Sequence, residues 1–186
     1  GYKTGERVPE ELSRQFDLAE KAAAAVGVVV WPMIEFEADD AIGTAAVRWG
    51  ADPNVEQVVI CSPDKDMMQL VTPNTVVLNT AKDDRIIGPD DVRELFGVSP
   101  EQITDLLGLW GDSSDNVPGA PGIGEKGARA LIERFGSIET SLKRAEEVKA
   151  NRQRKSLLEN REQILLSKEL VTINTNVPLT VTWDEL

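Results

Sequence analysis

The chain has 186 residues, with 20 basic and 32 acidic side chains and a net charge of −12 at pH 7. This length is sufficient for a domain with its own hydrophobic core. Histidine is absent, which excludes serine–histidine and cysteine–histidine catalysis and zinc sites with histidine ligands.

The first 88 residues alternate between helical and extended patterns. Buried β-branched strands separated by helices indicate an α/β domain with a mostly parallel sheet. In chain order the patterns predict a helix at 10–26, a strand at 28–34, a helix at 38–49, a strand at 57–61, a short helix at 65–70 and two short strands at 75–78 and 85–87 around the turn Lys82-Asp83-Asp84.

After residue 88 the sequence is typical of helices, with breaks at glycine and proline. Helices are predicted at 89–96, 100–109, 125–135, 138–145 and 151–169, followed by an extended segment at 170–180. We therefore expect three regions: the C-terminal part of an α/β core at 1–88, a helical region at 89–169 and an extended segment at 170–186.

Three acidic clusters follow these predicted elements: Glu37 to Asp40 after the first strand, Asp64 to Asp66 after the second, and Asp112 to Asn116 after a helix. The carboxyl ends of parallel strands face one crevice, so the first two clusters are expected to lie at the same crevice. Crowded carboxylates repel one another, and hard divalent cations such as Mg²⁺ or Mn²⁺ relieve that repulsion. The clusters together predict a metal site.

Each cluster also has a purely structural interpretation. The acids at 37–40 favour the dipole of the helix that they begin. Those at 64–66 suit an N-capped turn, and the run at 112–116 suits a capping and turn sequence. Their combination favours metal binding over three unrelated turns.

The acidic charge is unevenly distributed along the chain. Residues 1–120 hold 9 basic and 22 acidic side chains, whereas residues 121–160 hold 9 basic and 6 acidic ones. A net-basic segment suits the phosphates of nucleic acid, which repel the rest of the surface.

A glycine-rich stretch at 117–124 lies where this basic segment begins. Gly122 and Gly124 permit close approach of a phosphate, and free N–H groups at the start of the next helix face an anion. Lys126 and Arg129 follow in the first turns of that helix. The stretch resembles a helix–hairpin–helix element, which grips the DNA backbone without reading its sequence. A plain turn between two helices is the alternative.

Four stretches, read in order, carry a family resemblance. They are Gly1-Tyr-Lys, Glu37-Ala-Asp-Asp, Ser62-Pro-Asp-Lys-Asp with Gln69-Leu70, and Gly111-Asp-Ser-Ser-Asp-Asn-Val-Pro-Gly with Gly122-Ile-Gly-Glu-Lys. Together they resemble the 5′-nuclease domain of bacterial DNA polymerase I and its stand-alone relatives in the flap-endonuclease superfamily. The correspondence covers nearly the whole chain, and the combination is highly specific.

The resemblance implies a PIN-like α/β nuclease core followed by a helix–hairpin–helix element at about 112–136. It implies metal-binding carboxylates at Glu37, Asp39, Asp40, Asp64, Asp66, Asp112 and Asp115. Among these, Asp39, Asp64 and Asp66 are the expected catalytic carboxylates, together with Lys3 beside the scissile phosphate. The expected DNA contacts are Tyr2, Lys3, Arg7, Gly122, Gly124, Lys126 and Arg129, with K⁺ at the hairpin. Two or more Mg²⁺ or Mn²⁺ ions are the expected cofactors.

Two departures from the family pattern stand out. Relatives commonly have threonine at the position of Gly127, and its absence removes one hydroxyl contact. The family also begins with strands that carry two further aspartates before the Tyr2-Lys3 segment, so we expect this chain to be a piece of a longer protein. A polymerase domain on the same chain and a place in the bacterial cytoplasm follow from the resemblance, and the single Cys61 suits a reducing compartment.

The resulting hypothesis is two-metal hydrolysis of DNA phosphodiesters in replication or repair, with Lys3 stabilising the charge on the phosphate. The first alternative is a catalytically inactive, structure-specific DNA-binding module. A second is a haloacid-dehalogenase-like phosphatase with Asp64 as its nucleophile, which leaves the hairpin and the Glu37 cluster unexplained. A PIN-type RNA nuclease shares the carboxylates but does not need the hairpin.

Overall fold

The first half of the chain contains a three-stranded sheet in the computed structural model, which describes residues 9–81, 84–182 and 185. Strands β1 (Val58–Cys61), β2 (Thr75–Asn79) and β3 (Arg85–Ile87) lie in that order across the sheet. The predicted strands at 57–61, 75–78 and 85–87 are therefore present, and the α/β class is confirmed.

The sheet is mixed rather than mostly parallel. β1 runs parallel to β2, with Val58 opposite Thr75, whereas β2 runs antiparallel to β3, with Val77 opposite Ile87. The short connection between β2 and β3 allows only a hairpin, because parallel strands need a longer crossover.

Helices account for most of the remaining described structure. They are α1 (Glu10–Ser13), α2 (Phe16–Ala25), α3 (Ala38–Gly50), α4 (Pro89–Phe96), α5 (Ile103–Trp110), α6 (Glu125–Phe135), α7 (Ile138–Lys143), α8 (Asn151–Glu159) and α9 (Arg161–Leu170). Short 3₁₀ helices lie at Lys65–Leu70, Pro100–Gln102 and Ala145–Glu147. No helix within the described ranges is both long and apolar enough to cross a bilayer.

The predicted strand at 28–34 does not form. A strand needs a neighbour for its backbone hydrogen bonds, and this segment has no strand partner among the described residues. Its side chains are also poorly covered, with Val28 57% and Ile34 95% exposed. Trp31 of this segment stacks on Trp49 of α3 with 5.7 Å between ring centroids.

Two predicted long helices are each divided. The predicted helix at 10–26 is interrupted between α1 and α2, and the one at 151–169 is interrupted at Asn160. The Asn160 side chain donates from Nδ2 to the Ser156 carbonyl at 3.0 Å. Such local bonds compete with regular helical geometry, so α8 and α9 are separate helices.

The hydrophobic core is centred on α5. Ile103, Leu106 and Leu107 of this helix are fully buried, and α5 packs against both α6 and α9. Gly108 permits the close approach of α9, because a Cβ at this position would lie 2.9 Å from the Lys168 Cα. The loop that follows α5 is therefore attached to a helix at the centre of the hydrophobic core.

Candidate functional site

Three aspartates converge between the 3₁₀ helix Lys65–Leu70 and the loop after α5. Asp66, Asp112 and Asp115 each contribute a carboxylate oxygen, and these three oxygens lie within 4.8 Å of one another. Asp66 and Asp112 are buried, at 8% and 6% exposure. This arrangement concentrates negative charge where little water is available to screen it.

Asp66 is oriented by the turn that follows β1. The backbone N–H of Asp66 donates to Asp64 Oδ1 at 3.0 Å, and the N–H of Asp64 donates to Ser62 Oγ at 3.1 Å. Asp64 is thus the N-cap of the 3₁₀ helix. The structure does not bring Asp64 into the three-carboxylate group, although its charge acts on Asp66.

The loop that carries Asp112 and Asp115 is closed on itself. Asp112 and Val117 exchange two backbone hydrogen bonds of 2.9 and 2.7 Å, and the Ser114 N–H donates to Asp112 Oδ1 at 2.9 Å. Asn116 takes the left-handed conformation with φ of 57°. Such a conformation is tolerated by asparagine better than by most residues, which explains the turn at this position.

A glycine contact and two side chains of α9 fix the base of this loop. A Cβ on Gly119 would lie 2.5 Å from the Gly111 nitrogen, so the two glycines touch through their backbones. The Gly119 N–H donates to Ser167 Oγ at 3.1 Å, and its carbonyl accepts from Gln163 Nε2 at 2.9 Å. Ser167 and Gln163 were not predicted as site residues, because the sequence gives no indication that α9 meets this loop.

The acidity of Asp66 is strongly perturbed. Burial raises its pKa to about 7; the charge of Lys65 opposes that rise, and the charges of Asp64, Asp112 and Asp115 add to it. Its Oδ1 atom is buried and has no hydrogen-bond donor among the described residues. A buried carboxylate oxygen without a donor is unstable unless it is protonated or bound by a cation.

Lys65 is the neighbouring cation that sequence reasoning passed over. Its ammonium donates to Asp112 Oδ2 and lies 3.9 Å from Asp66 Oδ1. Burial raises the pKa of Asp112, but the hydrogen bond from Lys65 and those from Ser114 outweigh it, so the pKa is lowered. Burial likewise lowers the pKa of Lys65, and its hydrogen bond to Asp112 with the surrounding carboxylates reverses this to a net rise.

The first acidic cluster faces the same site across a cleft of about 270 Å³. The acidic residues along this cleft are Glu37, Asp39, Asp40, Asp66, Asp115 and Glu169. The expected meeting of the clusters therefore occurs, although its predicted cause, two parallel strand ends, is wrong for the first cluster. The N-terminus of α3 delivers those carboxylates instead. Glu169 is an acidic neighbour that the sequence analysis did not single out.

Asp40 differs from the other acids of the cleft in its bonding. Its Oδ2 accepts from the Glu37 N–H at 3.2 Å, which caps α3, and its Oδ1 accepts from the Asn174 N–H at 2.8 Å. Both carboxylate oxygens are therefore engaged by backbone donors. The capping interpretation of this cluster holds for Asp40 whether or not its neighbours bind metal.

The glycine-rich loop leads from α5 into α6, which begins after Gly124. A Cβ on Gly122, where φ is 79°, would lie 2.4 Å from Arg152 Nε, so the guanidinium of α8 rests on this glycine. A Cβ on Gly127 would lie 2.6 Å from Gln153 Nε2. The end of the Gln153 side chain thus occupies the space that a side chain at position 127 would take.

Arg129 is placed differently from the expected DNA contact. Its Nη2 donates to the Leu95 carbonyl at the end of α4 at 2.7 Å and to Glu125 Oε1 at 2.5 Å. The side chain is therefore committed to joining α4 and α6. The other expected contacts at the amino end, Tyr2, Lys3 and Arg7, lie outside the described residues.

Known families match both halves of the chain. Residues 1–97 match the family described as 5′-3′ exonuclease, N-terminal resolvase-like domain, and residues 98–186 match 5′-3′ exonuclease, C-terminal SAM fold.

Curated relatives match between 91% and 100% of the chain at 37–45% identity. DNA polymerase I of Bacillus caldotenax is 41% identical over 189 residues, which is 100% of this chain and 21% of the relative. DNA polymerase I of Rhizobium leguminosarum is 45% identical over 96% of this chain and 17% of the relative. A 5′-3′ exonuclease of Halalkalibacterium halodurans is 37% identical over 91% of this chain and 57% of the relative. The chain thus spans about a fifth of the polymerases and just over half of the exonuclease.

Solved structures share the fold. T5 5′-exonuclease with bound zinc superposes with a TM-score of 0.76 at 24% identity, over 91% of this chain and 64% of that one. The bacteriophage T5 flap endonuclease in a pseudo-enzyme–product complex with DNA and metal ions has a TM-score of 0.75 at 24% identity, over the same 91% and 64%.

Proposed function

The chain belongs to the 5′-3′ exonuclease family, and we propose that it forms part of a structure-specific 5′-nuclease that hydrolyses DNA phosphodiesters with divalent cations. The observation that carries this proposal is the convergence of carboxylates from α3, from the 3₁₀ helix after β1 and from the loop after α5. Such a convergence costs free energy in a metal-free protein, and a cation site accounts for its presence.

The residues present suit Mg²⁺ or Mn²⁺. Asp66, Asp112 and Asp115 offer oxygens within 4.8 Å of one another, and Asp66 Oδ1, which has no hydrogen-bond donor among the described residues, is the kind of ligand that a hard cation accepts. Glu37 and Asp39 across the cleft supply the carboxylates for a further ion. When bound, such ions activate water and stabilise the attacking and leaving oxygens of a phosphodiester.

The remaining roles belong to residues of the chain itself. Lys3 is proposed to lie beside the scissile phosphate, with Tyr2 and Arg7 as neighbouring substrate contacts. Asp64 is proposed to act through Asp66, because it caps the turn that aims this carboxylate.

The helix–hairpin–helix proposal rests on the loop between α5 and α6. Gly124 leaves the backbone open, because a Cβ there would meet nothing within 4 Å, whereas the Arg152 guanidinium lies over Gly122 and adds positive charge beside the loop. The free N–H groups at the start of α6 suit a phosphate, and K⁺ is proposed to bind at the same loop. Lys126 adds a positive charge at the start of α6, whereas Arg129 links α6 to the end of α4 through the Leu95 carbonyl. Duplex DNA gripped in this way is positioned for cutting, and the DNA of the bacterial cytoplasm is the proposed substrate.

The family match favours the nuclease over the phosphatase alternative, since both halves of the chain fall within 5′-3′ exonuclease families. A polymerase domain on the same polypeptide is proposed from the polymerase relatives, while the Halalkalibacterium relative is named an exonuclease alone.

The test is cleavage of a 5′-flapped duplex with Mg²⁺ by the naturally occurring protein that contains this chain. Asp66→Asn is expected to lower the cleavage rate at least 100-fold, in the order-of-magnitude range for loss of a group that stabilises transition-state charge. Asp64→Asn should lower it less, because the cap is weakened while the ligand set stays intact. Asp90→Asn, at an exposed carboxylate of α4, is the matched control and should leave the rate unchanged.

Two outcomes contradict the proposal. Normal cleavage by the Asp64→Asn, Asp66→Asn double variant excludes a catalytic role for this cluster. Tight binding of the flapped duplex by the wild-type protein without any cleavage assigns the chain to the inactive DNA-binding module instead.

A further inference from the structure

The segment at 171–177, called the belt here, crosses the cleft without joining the sheet. Its first two backbone anchors are made by one side chain, Gln69 of the 3₁₀ helix. Gln69 Nε2 donates to the Val171 carbonyl at 2.9 Å, and Gln69 Oε1 accepts from the Ile173 N–H at 3.0 Å. The carboxamide therefore pairs with the belt as a peptide group of a neighbouring strand would.

The other end of the belt is held by α3. Asp40 Oδ1 accepts from the Asn174 N–H at 2.8 Å. Thr44, one turn further along α3 and only 4% exposed, donates to the Asn174 carbonyl at 3.3 Å and accepts from the Val177 N–H at 3.0 Å. Buried backbone groups need such partners, and here side chains supply them in place of a strand.

Close packing accompanies these hydrogen bonds. A Cβ on Gly43 would lie 2.6 Å from Ile173 Cγ2 and 3.4 Å from Leu70 Cδ2. The belt thus touches α3 at a position where only glycine leaves room. Val171 and Val177, at the two ends of the belt, are buried.

The anchors lie next to the acidic residues of the cleft. Gln69 is three residues after Asp66 on the same 3₁₀ helix, and Asp40 directly follows Asp39 at the start of α3. The belt therefore connects the element that carries Asp66 to the element that carries Asp39, across the cleft that both line.

We propose that Gln69 and Asp40 are positioning residues, which clamp the belt and thereby set the spacing between the α3 carboxylates and Asp66. Asp40 acts through its two backbone acceptor bonds rather than as a metal ligand. The inference rests on the proposed function in one respect, namely that the spacing of these carboxylates serves metal binding. The clamp itself is a matter of backbone hydrogen bonding.

The test combines a Mn²⁺ titration by calorimetry with hydrogen exchange at the Ile173 and Asn174 amides, in the naturally occurring protein. Gln69→Leu removes both bonds and no carboxylate. It is expected to speed exchange at Ile173 and to weaken Mn²⁺ binding about ten-fold, the usual scale for residues that orient metal ligands. Gln69→Glu keeps the oxygen that accepts from the Ile173 N–H and loses the N–H that donates to the Val171 carbonyl. Its loss of Mn²⁺ affinity is therefore expected to be smaller than that of Gln69→Leu.

Two variants of Asp40 distinguish a positioning role from a role as a metal ligand. Asp40→Asn retains an oxygen for the Asn174 N–H and should bind Mn²⁺ within about two-fold of wild type, whereas Asp40→Ala should lose about as much affinity as Gln69→Leu. Asn176→Ala, at an exposed side chain of the belt, is the control and should match wild type in both measurements.

The proposal is overturned if Gln69→Leu speeds exchange at Ile173 and still binds Mn²⁺ like wild type. It is equally overturned if Asp40→Asn loses as much affinity as Asp39→Asn, which identifies Asp40 as a ligand. Slow exchange at Ile173 in a folded Gln69→Leu protein refutes the clamp. Failure of the nuclease proposal is distinct, because it is read from flap cleavage by wild type, whereas the clamp is read from amide exchange.

Discussion

The Lys65 ammonium donates to Asp112 Oδ2 and lies 3.9 Å from Asp66 Oδ1, so a cation of the chain itself spans two of the three clustered carboxylates. Lys65 is about one-third exposed, whereas the Asp112 side chain is 5% exposed. The ion pair therefore offsets part of the repulsion in the metal-free protein. A divalent cation that takes the same Asp112 oxygen must displace the lysine.

Replacing Lys65 tests this competition. Lys65→Met keeps the length and apolar stem of the side chain, and it is expected to lower the metal-free free energy of unfolding by roughly 1–3 kcal/mol, because Asp112 loses its main donor. Mn²⁺ should bind about five-fold tighter, since ~1 kcal/mol of competing interaction is gone. Calorimetry and denaturant unfolding measure the two effects.

A matched control for this variant is Lys155→Met, at an exposed lysine whose nearest carboxylate, Glu159, lies 3.9 Å away. Neither stability nor Mn²⁺ affinity should change there, because exposed pairs contribute little. Weaker Mn²⁺ binding by Lys65→Met would show that the lysine orients Asp112 for metal rather than competing with it.

The raised pKa of Asp66 predicts an unusual pH dependence. Its folded-state pKa of about 7 lies above the ordinary 3.8, so the folded metal-free protein holds a proton that the unfolded chain releases between these values. The contribution of the Asp66 proton to the free energy of unfolding is full below about pH 4. It is lost as pH rises through 7, at up to ~1.4 kcal/mol per pH unit. The lowered pKa of Asp112 acts in the opposite sense, since its contribution is lost as pH falls through its folded value.

Two pH series measure this behaviour. The Tm of the metal-free protein should fall between roughly pH 5.5 and 8, a range that spans the titration of Asp66. Asp66→Asn should remove most of that fall. Mn²⁺ affinity should rise over the same range by up to about ten-fold per pH unit, because binding releases the proton. An unchanged pH slope in Asp66→Asn would assign the effect to another group.

Gly119, which is packed against Gly111, and Gly124, which is open, should differ in what their replacement affects. The first should affect stability and metal binding, and the second DNA binding. Gly119→Ala places a Cβ 2.5 Å from the Gly111 nitrogen at a φ of 62°, and should cost on the order of 2–3 kcal/mol and weaken Mn²⁺ binding through the displaced Asp112 and Asp115. Gly124→Ala meets nothing within 4 Å, so stability should be retained. Its DNA affinity should fall, because a Cβ obstructs close approach of a phosphate. Equal loss of metal binding in both variants would contradict this division.

Gly127→Thr is expected to be tolerated. The atom in its way is the far end of Gln153, which can turn aside, and threonine improves helix propensity by a few tenths of a kcal/mol. The added hydroxyl should tighten binding to duplex DNA at low salt, measured by fluorescence anisotropy. Gly127→Ala is the control, because it also removes the glycine but adds no hydroxyl, and equal tightening by both variants would rule out a hydroxyl contact.

Much of the fold was predictable because local signals mark it. Pro89 at the start of α4 and Gly97, with φ of 71° at its end, bound that helix as expected. The strand predicted at 28–34 failed because a β-branched run encodes extended backbone but not a partner to pair with. The predicted helix at 151–169 failed at Asn160, whose side chain bonds to its own backbone.

The acidic residues of the site were predictable, whereas their supports were not. Carboxylate clusters are visible in sequence, so Asp66 and Asp112 could be singled out, and the structure places them close together, while their binding of metal stays a prediction. Gln69 and Ser167 act through bonds to residues about 50 to 100 positions away, and no local pattern encodes such contacts. Arg129 shows the converse, since its charge predicted a DNA contact while its position directs it to the end of α4.

The most direct test of the metal site is the anomalous scattering of Mn²⁺ in crystals of the naturally occurring protein. We predict a manganese peak bordered by Asp66, Asp112 and Asp115, with the Lys65 ammonium moved off Asp112. Manganese bound only elsewhere, with Lys65 still paired to Asp112 at saturating Mn²⁺, would contradict the account.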